Sequence, residues 1–320
     1  MRYHRPHWQL CEGCLMTALG LTFTDRDLET AQQQRANSPY KAAFSALEAL
    51  EGATPAAQAV IGGFRVRYLG APATPAAFDG AMLAAAVKDT ASYVDQCAAL
   101  LAYAQAFQLQ REGLPPEVRQ AWLTAFASQL DAVRQGIGAT PSLLDVIWRG
   151  VAEAAASVIL DQPDLLDSAT RDYTRVIGEE IHPEGYMPAL VNHSSGGALF
   201  RQMMAAKGLV LTAEIASHAG RDLWNVQSRG ITARTAAIYA AAYYDYAKSW
   251  KWDAPLNPED TERLYKTHGA FLEILNRQLN PALLKATLDV LRPLFDPYGG
   301  GLTTLSHGQV QQRGWFRVGR

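Results

Sequence analysis

The chain has 320 residues, with 29 Lys and Arg against 31 Asp and Glu, a formal charge of −2. Near-neutrality argues against a nucleic-acid binder, which needs surplus cations to displace counterions from phosphates. With 48% hydrophobic and 19% charged residues, the chain has the composition of a folded protein with a sizeable core and not of a solvating polymer.

The N-terminal apolar run from Cys14 to Phe23 falls short of the roughly 18 residues that a membrane-spanning helix requires. Arg2, His4 and Arg5 precede it in the manner of a secretory signal, but Glu12 interrupts and no clean small-residue cleavage site follows. Cys11, Cys14 and Cys97 are too few for a disulfide framework. His4, His7, Cys11 and Cys14 are zinc-type ligands, yet only three residues separate the His pair from the Cys pair, tighter than ordinary structural zinc motifs.

After predicted helices over 28–34 and 40–50, Gly63 to Gly70 looks extended, because Phe64, Val66 and Tyr68 alternate with Arg65 and Arg67. Val87, Ala91, Val94, Cys97, Leu101 and Ala104 then recur at helical spacing, as do Trp122, Phe126, Leu130, Val133 and Ile137. Gly136 and Gly138 supply residues for a left-handed helix end. A further stripe of Leu144, Ile147, Val151, Ala154 and Val158 stops at Asp161-Gln162-Pro163, and another helix carries Leu165, Ala169, Tyr173 and Val176. Phe200, Met204, Leu211 and Ile215 lie on the next, closed by Gly220, before an Ala/Tyr-rich segment from Ile231 to Trp250. Asn257-Pro258 and Asn280-Pro281 each read as an N-cap followed by proline at the first helical position. About ten helices joined by short connections make an all-α chain of successive helix pairs.

Residues 184–224 run from Glu184-Gly185-Tyr186-Met187-Pro188 through Asn192-His193-Ser194-Ser195 and a long helix to Gly220-Arg221-Asp222-Leu223-Trp224. This pattern, with the Gly-rich close Asp296-Pro297-Tyr298-Gly299-Gly300-Gly301-Leu302-Thr303-Thr304, resembles the alginate-lyase family of polysaccharide lyases. The resemblance implies an incomplete (α/α) toroid over residues 38–306, between an N-terminal extension (1–37) and a C-terminal tail (307–320). It also implies β-elimination of an acidic polysaccharide such as alginate and an export to the periplasm or outside the cell that no clear signal in this sequence supports; the chemistry obliges no metal or cofactor, and a monomer is expected.

Such a lyase must neutralise the C5 carboxylate, remove the adjacent proton with a base, and protonate the leaving O4. Where the family has its Asn-Asn-His stretch, this chain has Leu143, Leu144 and Asp145. The family's catalytic Tyr falls at Arg201, beside Phe200. The chain therefore departs from the family pattern at its catalytic positions. A relocated set of Asn192, His193 and Arg201 has the right chemistry, although Asn192 and Ser194 equally suit helix capping.

For substrate binding the sequence offers Arg65, Arg67 and Tyr68 on the extended segment, as carboxylate-pairing groups on a mobile loop or as solvent-facing residues of an edge strand. Tyr40, Trp148, Tyr186 and Trp224 are aromatics suited to stacking on sugars or to the core. Arg229 lies in a loop after the Asp-Leu-Trp signature. Asp145, in place of the family's His, favours either a glycan-binding protein without activity or a toroid hydrolase pairing it with Glu179, Glu180 or Glu184.

Overall fold

The computed structural model describes residues 20–192, 196–254, 256–279 and 282–310. Among them every regular element is a helix. Those of the first half are α1 (Asp25–Gln33), α2 (Tyr40–Ala49), α3 (Pro55–Leu69), α4 (Gly80–Lys88), α5 (Tyr93–Gln110), α6 (Pro116–Gly136), α7 (Leu143–Leu160) and α8 (Pro163–Glu179). The second half has α9 (Pro188–Val191), α10 (Ala198–His218), α11 (Ala233–Ala242), α12 (Pro258–His268), α13 (Phe271–Leu279), α14 (Ala282–Leu291) and α15 (Thr303–His307).

The chain folds as an incomplete (α/α) toroid of two concentric layers. Helices α5, α7 and α10 bury residues around most of their circumference, which marks helices surrounded by protein. They pack side by side, with α3 against α5 and α13 against α10, as the inner layer. The outer helices carry a single apolar stripe: α6 buries Trp122, Phe126, Leu130 and Val133, and α8 buries Leu165, Leu166, Ala169, Tyr173, Val176 and Ile177. Caps follow local chemistry. Ser142 and Asp145 form a capping box on α7, Asn257 accepts from Asp260 N at the start of α12, and Asp161, in the left-handed conformation, ends α7.

Three local readings are corrected. Residues 63–70 are the end of α3, not an extended segment. Thr54 caps this helix before Pro55, and Ala57, Val60, Ile61, Phe64 and Tyr68 bury one face at helical spacing. Arg65 and Arg67, which alternate with the apolar positions in sequence, lie beside that face and donate to carbonyls at the end of α2 and to Leu109 O. Helix α6 ends without a left-handed glycine, its C-cap Ile137 being extended. The segment from Ile231 to Trp250 is helical only as far as Ala242 before breaking into turns.

The Gly-rich segment 296–302 fills the space between the inner helices. Gln105 Nε2 of α5 donates to Gly300 O at 2.7 Å, and Asp296 and Gly301 bridge through their backbones. Gly301 has φ +77°, and a Cβ there would meet the Phe64 ring at 2.3 Å. Only glycine serves both that conformation and that approach. Residues 20–37 and 307–310, outside the expected 38–306 boundary, also pack inward: Leu21, Phe23, Ala31 and His307 are buried. No helix among the described residues is long and apolar enough to cross a membrane.

Candidate active site

Two adjoining cavities, of about 390 and 490 Å³, share Phe200 and His268 as a common wall. The larger is lined by residues of α3, α4, α5 and α10, by His268 at the end of α12 and by Tyr298 of the Gly-rich segment. The smaller is lined by residues of α10 and α12 and of the 250–256 segment between α11 and α12, among them Trp250 and Asp253.

Lys207 is the only lysine on α10, among residues that are otherwise almost all apolar or small. Its ammonium donates to Asp296 Oδ2 at 2.8 Å and lies 5.3 Å from the centre of the Trp148 ring. The ion pair is almost wholly buried, at 1% and 3% side-chain exposure. Because an ammonium has three donors, one bond to Asp296 leaves capacity for an acceptor in the cavity. Asp296 also accepts from the backbone N–H of Tyr298 through Oδ1 at 2.9 Å. A single carboxylate thus fixes both the lysine and the turn that presents Tyr298, whose hydroxyl is 3.1 Å from Thr54 Oγ1.

His268 packs edge-on against Phe200 with ring centres 5.3 Å apart. Burial, reinforced by the nearby Lys207 charge, lowers its pKa to about 4 against a smaller opposing effect of Asp296. It is therefore neutral at ordinary pH and able to accept a proton. Phe200, 41% exposed, presents a bare aromatic face to both cavities.

Most residues singled out from the sequence lie elsewhere. Arg65 donates to the carbonyls of Leu47, Glu48 and Leu50, capping the end of α2. Arg67 donates to Leu109 O and pairs with Glu112. Tyr68 is buried, stacked on Phe64, with its phenol pKa held well above the usual range by desolvation. Tyr40 is also core: its hydroxyl donates to Gly308 O, and burial, with Glu273 adding, pushes its pKa up to about 12. Asp145 is engaged in the α7 capping box with Ser142, and Glu180 pairs with Arg175 and Glu184 with Lys251. None of Asp145, Glu179, Glu180 and Glu184 lines either cavity.

Trp148 donates to Met204 O at 3.1 Å from the core and supports Lys207 from below. Trp224 is buried and donates to Glu214 Oε2 at 2.9 Å. Arg229 donates to Gly178 O at the end of α8. Tyr186 stacks on His182 and lies against Trp252, in an aromatic cluster that includes Tyr239, Tyr243 and Trp250.

Of the relocated catalytic set, Asn192 is an exposed C-cap of α9. Arg201 turns back from α10 to donate to Leu190 O and Gly196 O, clamping the loop before the helix. His193 lies outside the described residues, as do Ser194 and Ser195, the proposed N-cap pair Asn280-Pro281, and His4, His7, Cys11 and Cys14. At the start of α10, Asp253 Oδ2 accepts from Ala198 N at 2.8 Å.

Lys207, His268 and Phe200 carry no joint signal in the sequence that would mark them as a group. A lone lysine in the middle of an apolar helix was the available signal for the first; nothing local distinguishes His268 from an ordinary residue at a helix C-terminus. Tyr298 and Asp296 lay within the Gly-rich segment already noted.

A family model described as alginate lyase matches residues 87–250, about half of the chain. No curated protein sequence matches. Among solved structures, the chain is similar to alginate lyase A1-III from Sphingomonas species A1, with a TM-score of 0.63 and 17% identity over 85% of this chain and 79% of that one. It is similarly close to a histidine-to-alanine variant of alginate lyase A1-III complexed with tetrasaccharide, with a TM-score of 0.65 and 18% identity over 86% of this chain and 82% of that one. A tyrosine-to-phenylalanine variant, also complexed with tetrasaccharide, gives a TM-score of 0.63 and 17% identity over 87% and 82% of the two chains.

Proposed function

We propose that this chain, which belongs to the alginate-lyase family, cleaves a uronic-acid-containing polysaccharide by β-elimination in the cleft that Lys207, His268 and Tyr298 share. The observation carrying this reading is the convergence of those three side chains on one cavity beside an exposed aromatic face. Each meets one requirement of the reaction. Lys207 pairs with the uronate carboxylate, lowering the cost of charge that develops when the C5 proton leaves. His268, neutral because it is desolvated and near Lys207, takes that proton. Tyr298 supplies a proton to the leaving O4. The bond from C4 to O4 breaks as the C4–C5 double bond forms, leaving an unsaturated uronate end.

The test is to incubate the protein with uronate polymers and follow the ultraviolet absorbance of unsaturated ends. His268→Gln and Tyr298→Phe are each expected to lower kcat by about 10²-fold or more, the usual contribution of a positioned acid or base. Because His268 must be unprotonated, kcat/KM of the wild type is expected to rise as pH increases through about 4 and then level. A rising limb centred near neutrality would remove His268 from the base role.

Phe200 contributes differently, as a face against which a sugar ring rests. Phe200→Ala is expected to raise KM by about threefold to tenfold with kcat changed less, the signature of lost uniform binding. A second reading follows from the sequence resemblance, by which Leu143, Leu144, Asp145 and Arg201 would fall where the family has its catalytic residues, without their chemistry. In that reading the protein binds acidic glycan and does not cleave it. Binding with no unsaturated product would support it.

A further inference from the structure

We propose that the substrate carries its uronate at isolated positions flanked by uncharged sugars, and is not a homopolymer with a carboxylate on every ring. The proposal rests on the lyase reading above and deepens it to a substrate class. The walls of the two cavities hold Asp89, Asp95, Asp253 and Asp260 against two basic side chains, Lys207 and Arg263. Both cations already have carboxylate partners, Lys207 with Asp296 at 2.8 Å and Arg263 with Asp260 at 2.5 Å. Asp95 accepts from Ser92 Oγ, and Asp253 from Ala198 N and Trp250 Nε1. Those donors are neutral, so the bonds orient the carboxylates and leave their charge in place. His268 adds no positive charge above about pH 4.

Among the described residues, therefore, the cleft presents an excess of negative charge, with a single ammonium at its buried end. A homopolyuronate brings a carboxylate into every subsite. One of them meets Lys207, while its neighbours meet like charge across a concave, partly desolvated surface. An uncharged sugar in those neighbouring subsites offers hydroxyl or amide N–H donors to the same aspartates and an apolar face to Phe200 or Met204. Discrimination then comes from repulsion of the wrong polymer as much as from attraction of the right one.

The test compares two homopolymers, polymannuronate and glucuronan, with two alternating uronate–N-acetylhexosamine polymers, hyaluronan and unsulfated chondroitin. We expect kcat/KM for unsaturated-end formation to be at least about tenfold higher on an alternating polymer at low ionic strength, and the gap to narrow as salt screens the repulsion. Asp89→Lys, a change at an exposed helix end outside the proposed catalytic set, is expected to shrink the ratio by about threefold or more through improved turnover of the homopolymer. Affinity electrophoresis through gels containing each polymer supplies a readout independent of cleavage. Selective retardation by an alternating polymer supports the substrate class even where no product forms and the lyase reading fails. Equal or stronger retardation and turnover with the homopolymers, or no retardation by any of the four, would overturn the proposal.

Discussion

Lys207→Met is expected to lower the stability of the folded chain by about 3–5 kcal/mol and to abolish turnover. The stability loss follows from burial. Lys207 and Asp296 are both almost completely withdrawn from solvent, and deleting one member of such a pair leaves the other as an uncompensated charge in a low-dielectric interior. Asp296 cannot relax toward water, because its backbone is bridged to Gly301 and its carboxylate holds the Tyr298 N–H. The double variant Lys207→Met/Asp296→Asn removes both charges and is expected to recover at least half of the loss, measured as the urea midpoint with an unchanged denaturant slope. Were the single variant as stable as the wild type, the ion pair would not be the anchor that the buried geometry implies. The double variant, folded but without its ammonium, should still produce no unsaturated ends. This separates the role of Lys207 toward substrate from its role in folding.

Much of this architecture was legible from periodicity. The stripes at Trp122, Phe126, Leu130 and Val133 and at Leu165, Ala169, Tyr173 and Val176 predicted two amphipathic helices, which the fold places in the outer layer, since an amphipathic stripe reports one buried face. The inner helices were harder to read. Helix α3 buries Phe64 and Tyr68 on one face, while Arg65 and Arg67 turn sideways to carbonyls of α2 and to Leu109. A local pattern cannot reveal those destinations, so two structural arginines looked like ligand-binding ones. The site was less legible for the same reason. Lys207, His268 and Tyr298 are distributed over α10, α12 and the Gly-rich segment, and only the closing of the inner layer around residues 296–302 brings them together. Asn192 and Arg201 lie nine residues apart in sequence, yet the fold turns Arg201 back onto its own loop.

Acidification is expected to destabilise the protein in two separable stages. His268 is the first. Its folded pKa of about 4 lies below the ordinary 6.5, because burial and then Lys207 disfavour the charged ring. Between those values the unfolded chain binds a proton that the folded chain does not, so stability falls as pH drops from 6.5 toward 4, by about 3 kcal/mol at full effect. Glu214 is the second. Burial alone would raise its pKa, but the bonds and charges of His218 and His307 outweigh that and hold it far below its usual 4.5. Its carboxylate also accepts from Trp224 Nε1 and Gln278 Nε2. A carboxylate depressed in the folded state contributes stability that is complete above the unfolded pKa and lost as pH falls below it toward the folded value. Urea midpoints collected from pH 7 to pH 3 should therefore decline through both windows in the wild type. His268→Gln should flatten the stage between 6.5 and 4 alone, while Glu214→Gln should lower stability at pH 7 and flatten the stage below 4.5. If His268→Gln followed the wild-type slope throughout the upper window, the ring would be as readily charged in the fold as in water, and its assignment as the neutral base of the cleft would fall with it.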